Sequence, residues 1–264
     1  MTKYIEIKGG SIQATDTDPA LYAGSWASGA NLNTLRSGNA SASHATIPAG
    51  LTFGGQPPDR GNTEKYNGSS WTETGDLNTA RAYLMGGGTQ TSALGVGGQS
   101  TPPTTQHGIA EEFDGTSWTE VGDLNTTRLK SAGWGANAEA VIAVGGATSP
   151  GANEVANAET FNGSSWTETG DLNTARQSSG SFGTSSTSGI VAGGTPAPPS
   201  DSAATESWNG SAWTEVSDLN TSRTQLGGFG TASDDGYVAG GYDYGPDAGS
   251  TTTENWNGTA WTEV

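Results

Sequence analysis

The chain has no cysteine, which removes disulfides, thiolate metal sites and cysteine nucleophiles and leaves the compartment open. Basic residues are scarce: ten Lys and Arg stand against 27 Asp and Glu, a formal net charge of −17. Five of the ten are copies of one repeated arginine. No Lys/Arg cluster is left to release counterions from a phosphate backbone, so nucleic acid is not expected as a partner. Acidity of this degree suits solubility, a salty medium or a cationic partner. No apolar run approaches the roughly 18 residues of a membrane-spanning helix, and residues 1–20 lack the apolar centre of a secretory signal. Neither a membrane span nor signal-dependent export is expected. Histidine is limited to His44 and His107, and apolar residues make up only 31 %. In a helical or α/β domain that poverty would read as disorder.

Against these shortages stand 42 Gly and nine Trp. A buried Trp hides roughly 150–250 Å², or about 4–6 kcal/mol as an upper bound at ~25 cal/mol per Å². One large ring per repeat can therefore carry a thin core. The repeat is explicit. Asn67 to Arg81 reads NGSSWTETGDLNTAR and recurs unchanged at Asn162 to Arg176. Looser copies run from Asp114 to Arg128 and from Asn209 to Arg223, with partial copies at Gly24 to Arg36 and Asn257 to Val264. The motif tryptophans, Trp26, Trp71, Trp118, Trp166, Trp213 and Trp261, are 45, 47, 48, 47 and 48 residues apart (successive differences). Glycine pairs keep the same beat at 54–55, 97–98, 145–146, 193–194 and 240–241. A period of this length means a propeller or a solenoid, and the lack of any 3.6-residue apolar pattern excludes helical repeats.

Each period predicts four short strands. The first follows the arginine (Ala82 to Thr89, Leu129 to Asn137), and the second ends at the glycine pair. The third carries an aromatic residue, as in Thr63 to Tyr66 or Ala158 to Phe161, and the fourth holds Trp-Thr-Glu. Asn-Gly or Asp-Gly between the last two is a hairpin signal, read here as a turn with φ > 0 at both residues. Four antiparallel strands make a blade. The expected architecture is an all-β propeller over 24–264 with five four-stranded blades, near 36–74, 81–120, 128–169, 176–215 and 223–264. A short N-terminal arm occupies 1–23. Six blades remain an alternative, because Gly10 to Trp26 and Gly55 to Trp71 span the same 16 positions.

The glycine pair, the aromatic residue (Tyr66, Phe113, Phe161, Trp208, Trp256) and the Trp five residues later resemble a kelch repeat. The likeness covers about Gly24 to Val264. The wording YNGSSWTE followed by GDLNTAR is similar to kelch-like repeats of marine bacteriophage tail and surface proteins. The opening Ile12 to Pro19 looks like the start common in such proteins. The resemblance implies a virion component, exposed on the particle.

The repeated Arg36, Arg81, Arg128, Arg176 and Arg223 admit two readings: a cationic ring for an anion, or scaffold ties. A feature stamped on every blade usually builds the blade, so the scaffold reading is preferred, with neighbouring carbonyls or carboxylates as partners. An Asp lies five residues earlier in four copies (Asp76, Asp123, Asp171, Asp218). Trp71, Trp118, Trp166, Trp213 and Trp261 are expected between blades. The Asn-x-Ser/Thr triplets at Asn67, Asn125, Asn162, Asn209, Asn220 and Asn257 are read as turn chemistry.

No catalytic residue is expected. A kelch-class copper radical oxidase needs Cys, and the sialidase box is incomplete at Asp114 to Trp118. A glycosidase carboxylate pair is not excluded by spacing, but catalysis needs one asymmetric site and the acidic positions are mostly repeat copies. Asymmetry sits in the loops between second and third strands, 56–62, 99–110, 147–157, 195–204 and 242–252, where binding usually resides. Tyr242, Asp243, Tyr244 and Asp247, with His107, are the candidate ligand residues, suited to a sugar or a cation. No cofactor is expected. Ca²⁺ at Asp16/Asp18 or Asp234/Asp235 is the one possibility carried. Lys3, Tyr4, Ile5, Ile7 and Lys8 of the arm are candidate contacts to sister subunits or other virion proteins, through strand addition. The expected role is a non-enzymatic virion protein for capsid or tail decoration or host-surface attachment. A homo-oligomer and a host glycan are its expected partners, and a free carbohydrate-binding propeller is the alternative.

Overall fold

The structure is a computed structural model that describes residues 29–42, 49–150 and 152–264. The arm and its contact residues lie outside the described residues, as do Asp16, Asp18, Trp26 and His44. The described chain is all-β, without helices, and forms a propeller of five four-stranded antiparallel blades.

Blade one is β1 (Ala40–Ala42), β2 (Leu51–Phe53), β3 (Thr63–Tyr66) and β4 (Trp71–Thr74). Blade two is β5 (Met85–Thr89), β6 (Ser92–Val96), β9 (Ala110–Phe113) and β10 (Trp118–Glu120), with a side ribbon of β7 (Gln99–Ser100) and β8 (Thr105–Gln106). Blade three is β11 (Ala132–Gly135), β12 (Val141–Val144), β15 (Ala158–Phe161) and β16 (Trp166–Thr169), with ribbon β13 (Ala147–Ser149) and β14 (Ala152–Glu154). Blade four is β17 (Gly180–Ser185), β18 (Ser188–Ala192), β19 (Thr205–Trp208) and β20 (Trp213–Val216). Blade five is β21 (Gly227–Ala232), β22 (Asp235–Ala239), β25 (Thr253–Trp256) and β26 (Trp261–Glu263), with ribbon β23 (Tyr242–Asp243) and β24 (Ala248–Gly249).

The expected four strands per period are present, with two corrections. Innermost strands start later than the sequence suggests: Ala82 and Leu129 make only single bridges, to Gln99 and Ala147. Two residues after each motif arginine the backbone turns left-handed, at Tyr83 (φ 56), Lys130 (φ 55), Ser178 (φ 57), Gln225 (φ 57) and Gly38 (φ 62). That reversal interrupts the extended chain before β5, β11, β17 and β21. The outer hairpin also differs from expectation. Tyr66 pairs with Trp71, leaving a four-residue loop in which only Gly68 has positive φ (96°). Asn67 instead bends its side chain over the turn, its Oδ1 accepting the amides of Ser69 and Ser70 at 3.0 and 2.9 Å. Asp114, Asn162, Asn209 and Asn257 do the same. A side-chain acceptor thus replaces the second left-handed residue.

The core lies between blades and takes in four of the five tryptophans expected there; Trp71 is half-buried, with only its own blade's Tyr66 as a ring contact among the described residues. Trp118 packs on Phe53 of the preceding blade at 4.7 Å and tilts against its own Phe113 at 5.0 Å. Its indole N–H donates to Thr63 Oγ1, and that of Trp166 donates to the Gly122 carbonyl, both at 2.9 Å. Trp118, Trp166, Trp213 and Trp261 are at most 8 % exposed. Two backbone bonds tie successive blades. The second glycine of each pair donates to the next motif arginine's carbonyl: Gly55 to Arg81, Gly98 to Arg128, Gly146 to Arg176, Gly194 to Arg223. The left-handed residues also link in a chain, Tyr83 N–H to Gly38, Lys130 to Tyr83, Ser178 to Lys130 and Gln225 to Ser178.

Candidate functional site at the channel mouth

The innermost strands of all five blades surround a cavity of about 330 Å³, with Ser41, Gly87, Gly133, Trp134, Ser181 and Gly228 among its lining. At Gly133 a Cβ would meet the Ile142 carbonyl oxygen at 2.4 Å, so glycine here allows close strand approach. The wall combines glycine backbone, serine hydroxyls and apolar side chains such as Met85, Trp134 and Phe182, and none of the lining residues is charged.

Charge sits one layer up. Each motif arginine is buried in its own blade and grips the third-strand glutamate: Arg36–Glu64 2.5 Å, Arg81–Glu111 2.8 Å, Arg128–Glu159 3.0 Å, Arg176–Glu206 2.7 Å, Arg223–Glu254 2.6 Å. The other carboxylate oxygen of Glu111 accepts the Asn78 amide and side-chain N–H at 2.6 and 2.8 Å, and Asn78 also donates to the Trp118 carbonyl at 2.9 Å. Arg81 completes the cluster on the carbonyls of Gly97 and Ile109, both at 2.8 Å. Burial pulls the Arg81 guanidinium down and Glu111 opposes it. The scaffold reading of the arginines matches this geometry, but the partner is the glutamate seven residues before each Trp. The Asp five residues before the arginine is not the ion-pair partner. Asp218, one of these, accepts the Thr205 amide at 3.2 Å. Asn125 and Asn220 are the equivalents of Asn78, so two of the six Asn-x-Ser/Thr triplets hold glutamates rather than cap turns.

The variable loops lie on the same face as these clusters, held by bonds such as Leu77 N–H to Gly61 O and Leu124 N–H to Gly108 O, each 2.9 Å. Neighbouring loops also clasp each other. Asp59 accepts the Thr101 amide and, at 2.9 Å, its hydroxyl, while Asp201 accepts the Tyr244 amide at 2.9 Å. Tyr242 and Tyr244 meet edge to face at 5.2 Å, and the Tyr242 hydroxyl donates to Asp247. That bond raises the Tyr242 pKa. Asp243 accepts the Gly245 amide at 2.8 Å. The structure therefore brings Tyr242, Asp243, Tyr244 and Asp247 together on one ribbon, with both carboxylates already engaged. His107 stands in the blade-two loop, where its Nε2 lies 2.8 Å from Ser100 Oγ. Burial and the Arg81 charge lower its pKa against the pull of Asp59. Among the described residues no group of three or more His, Asp or Glu side chains gathers as a metal site, Asp234 and Asp235 included.

Sequence reasoning missed the left-handed residues just ahead of the channel-lining strands. The left-handed positions, each directly ahead of a lining residue, run as an open hydrogen-bonded chain from blade one to blade five, and each blade carries a different residue there: Gly38, Tyr83, Lys130, Ser178, Gln225. Tyr83 Oη accepts from Gln56 Nε2 at 2.5 Å, and Lys130 Nζ lies 5.4 Å from the Tyr83 ring. Burial lowers the Lys130 pKa, and Glu154 opposes the shift. Their signal was the change of residue type two places after an unchanging arginine. The arrangement places one aromatic ring (Tyr83), one ammonium group (Lys130), one hydroxyl (Ser178) and one amide side chain (Gln225) on successive blades. No protein-family model matches the chain, and no curated protein matches it significantly. The kelch likeness therefore rests on the repeat's own residues.

Proposed function

We propose that the chain is a non-enzymatic display protein, a kelch-like propeller exposed on a bacteriophage virion, serving capsid or tail decoration or host-surface attachment. One contrast carries the reading. The Arg–Glu pair recurs in all five blades and is buried in each, whereas the channel mouth and the loops above it differ blade by blade. Repeated geometry beneath loops that vary from blade to blade is how a scaffold presents a binding face. A lectin-like role is the second reading, favoured by the edge-to-face Tyr242–Tyr244 pair beside polar loops. A sugar is recognised by such aromatic faces together with hydroxyl and amide partners.

Mass spectrometry and immunogold labelling of purified particles test the first reading, with the chain expected on the particle exterior. Its absence from particles sinks it. A glycan array with the wild type and with Tyr244→Ala tests the second. Binding lost in the variant supports a lectin face; no binding to any glycan removes it.

A further inference from the structure

Four of the five blade junctions are built alike, and the junction of blade five with blade one is not. Among the described residues neither repeated bond spans it: Gly241 N–H does not reach the Arg36 carbonyl, nor Gly38 N–H the Gln225 carbonyl. Four apolar clusters join successive blades, one to two through four to five, and none joins five to one. On blade five, Tyr237, Ala239, Gly240 and Gly241 are half-buried, whereas Ile190, Ala192, Gly193 and Gly194 of blade four are buried. A Cβ at Gly193 would meet the next arginine's carbonyl at 2.7 Å; at Gly240 the nearest atom is Ser250 O at 3.7 Å. On blade one, Trp71 is half-buried, unlike its four counterparts, and its indole N–H has no partner among the described residues. A cleft of about 270 Å³, lined by Leu32, Asn39, Ser41, Gly50, Leu51 and Trp71, opens beside it.

We propose that this seam is the docking surface for the chain's own residues 2–28, seated between blades five and one as a partial sixth blade. The segment joins the described chain at Gly29, directly ahead of blade one. Its length suffices: β2 through β4 take 24 residues (51 to 74), and 28 precede Gly29. Its sequence carries the marks that the other junctions use. Gly9-Gly10 precede Trp26 by the interval that separates Gly54-Gly55 from Trp71. Every described motif Trp after the first rests on the blade before it. Trp26 would then cover the Tyr237 and Ala239 face, and Trp71 would rest on Tyr4 to Lys8. Tyr4, Ile5 and Ile7, expected above as contacts to other subunits, become the chain's own packing residues. A second copy could offer the same segment, but the tether at Gly29 gives the chain's own copy a millimolar-scale advantage. The inference does not depend on the proposed function.

Hydrogen exchange of the full chain, with light scattering on the same samples, tests it. Amides of residues 4–8 and 20–26 are expected to exchange about 100-fold slower than unstructured chain, equally in dilute and concentrated monomer. Trp26→Ala, or the milder Trp26→Phe, is expected to speed exchange about tenfold at 49–53 and 237–241 and leave blade three unchanged. Unprotected residues 4–26 overturn the proposal. So does protection that appears only where light scattering detects dimers, which assigns the seam to a second copy. Protection unaccompanied by any change at 49–53 or 237–241 in a folded Trp26 variant overturns it as well. If neither variant folds, the wild-type exchange still decides between the first two outcomes and the expected one.

Discussion

Replacing the Arg81–Glu111 pair by apolar residues should not restore stability, and the reason is its company. Glu111→Ala strands a buried guanidinium, a loss of about 3–5 kcal/mol. For a simple buried pair, substituting both partners by apolar residues of similar volume is often neutral or stabilising. Here Arg81 also donates to the Gly97 carbonyl, and Glu111 accepts the Asn78 amide. Arg81→Met/Glu111→Leu leaves both main-chain groups without these partners, at about 1–3 kcal/mol each. The Ile109 carbonyl keeps the Gly97 amide at 2.9 Å. The double variant is therefore expected to remain about 2–6 kcal/mol below wild type, less whatever the new apolar contacts return. Urea unfolding followed by Trp fluorescence reads the difference, and Tm should fall by roughly 2–4 °C for each kcal/mol lost. A double variant within about 1 kcal/mol of wild type would show that the pair acts alone and that the loop amide finds water instead.

Three further outcomes follow from the geometry. Trp166→Ala should cost about 3–5 kcal/mol and Asn162→Ala about 1 kcal/mol, so equal melting temperatures would contradict the inter-blade placement of the ring. Asp114 is held below the usual carboxylate range by the Ser117 amide, the Thr116 hydroxyl and the Thr116 amide. Its folded pKa is depressed, so its contribution is present above about pH 4 and lost as pH falls toward the folded value. Asp114→Asn, the residue of the sister turns, should flatten that acid slope and keep the fold; an unchanged slope by thermal unfolding from pH 2 to pH 5 (roughly the window around the unfolded carboxylate) would refute the assignment. Gln225→Gly should raise stability by about 0.5–1 kcal/mol by relieving a left-handed side-chain residue, and a lower Tm would show that its side chain packs.

The blade architecture was legible because each blade repeats the same few signals. Trp spacing, glycine pairs and third-strand aromatics located nearly every strand, and Thr63–Tyr66 and Ala158–Phe161 fall where the sequence put them. The arginine's partner was also written in the chain, since Glu64, Glu111, Glu159, Glu206 and Glu254 each precede a Trp by seven residues. Proximity in sequence favoured the Asp five residues away, whereas sheet pairing decides which carboxylate arrives. Left-handed backbone at Tyr83 and Lys130 was hidden because neither residue type announces it. At the candidate site, the Tyr242–Asp247 ribbon could be named as a unit, but its internal bonds depend on tertiary placement. The clasp between Asp201 and Tyr244 joins two blades and has no local signal.

Each blade closes its own arginine–glutamate lock without borrowing a residue from the next, and this has a consequence for inheritance. A module that completes its buried polar cluster internally can be copied or deleted without breaking a neighbour's ion pair, while the apolar core shared between blades has to be matched anew. The unchanged fifteen residues of Asn67–Arg81 and Asn162–Arg176 are themselves two blades apart. A deletion or duplication bounded by these two stretches removes or adds two whole blades, with every arginine–glutamate pair intact. Ring size is then the quantity on which such a change acts, and the junction that closes the ring is where each new size meets its test.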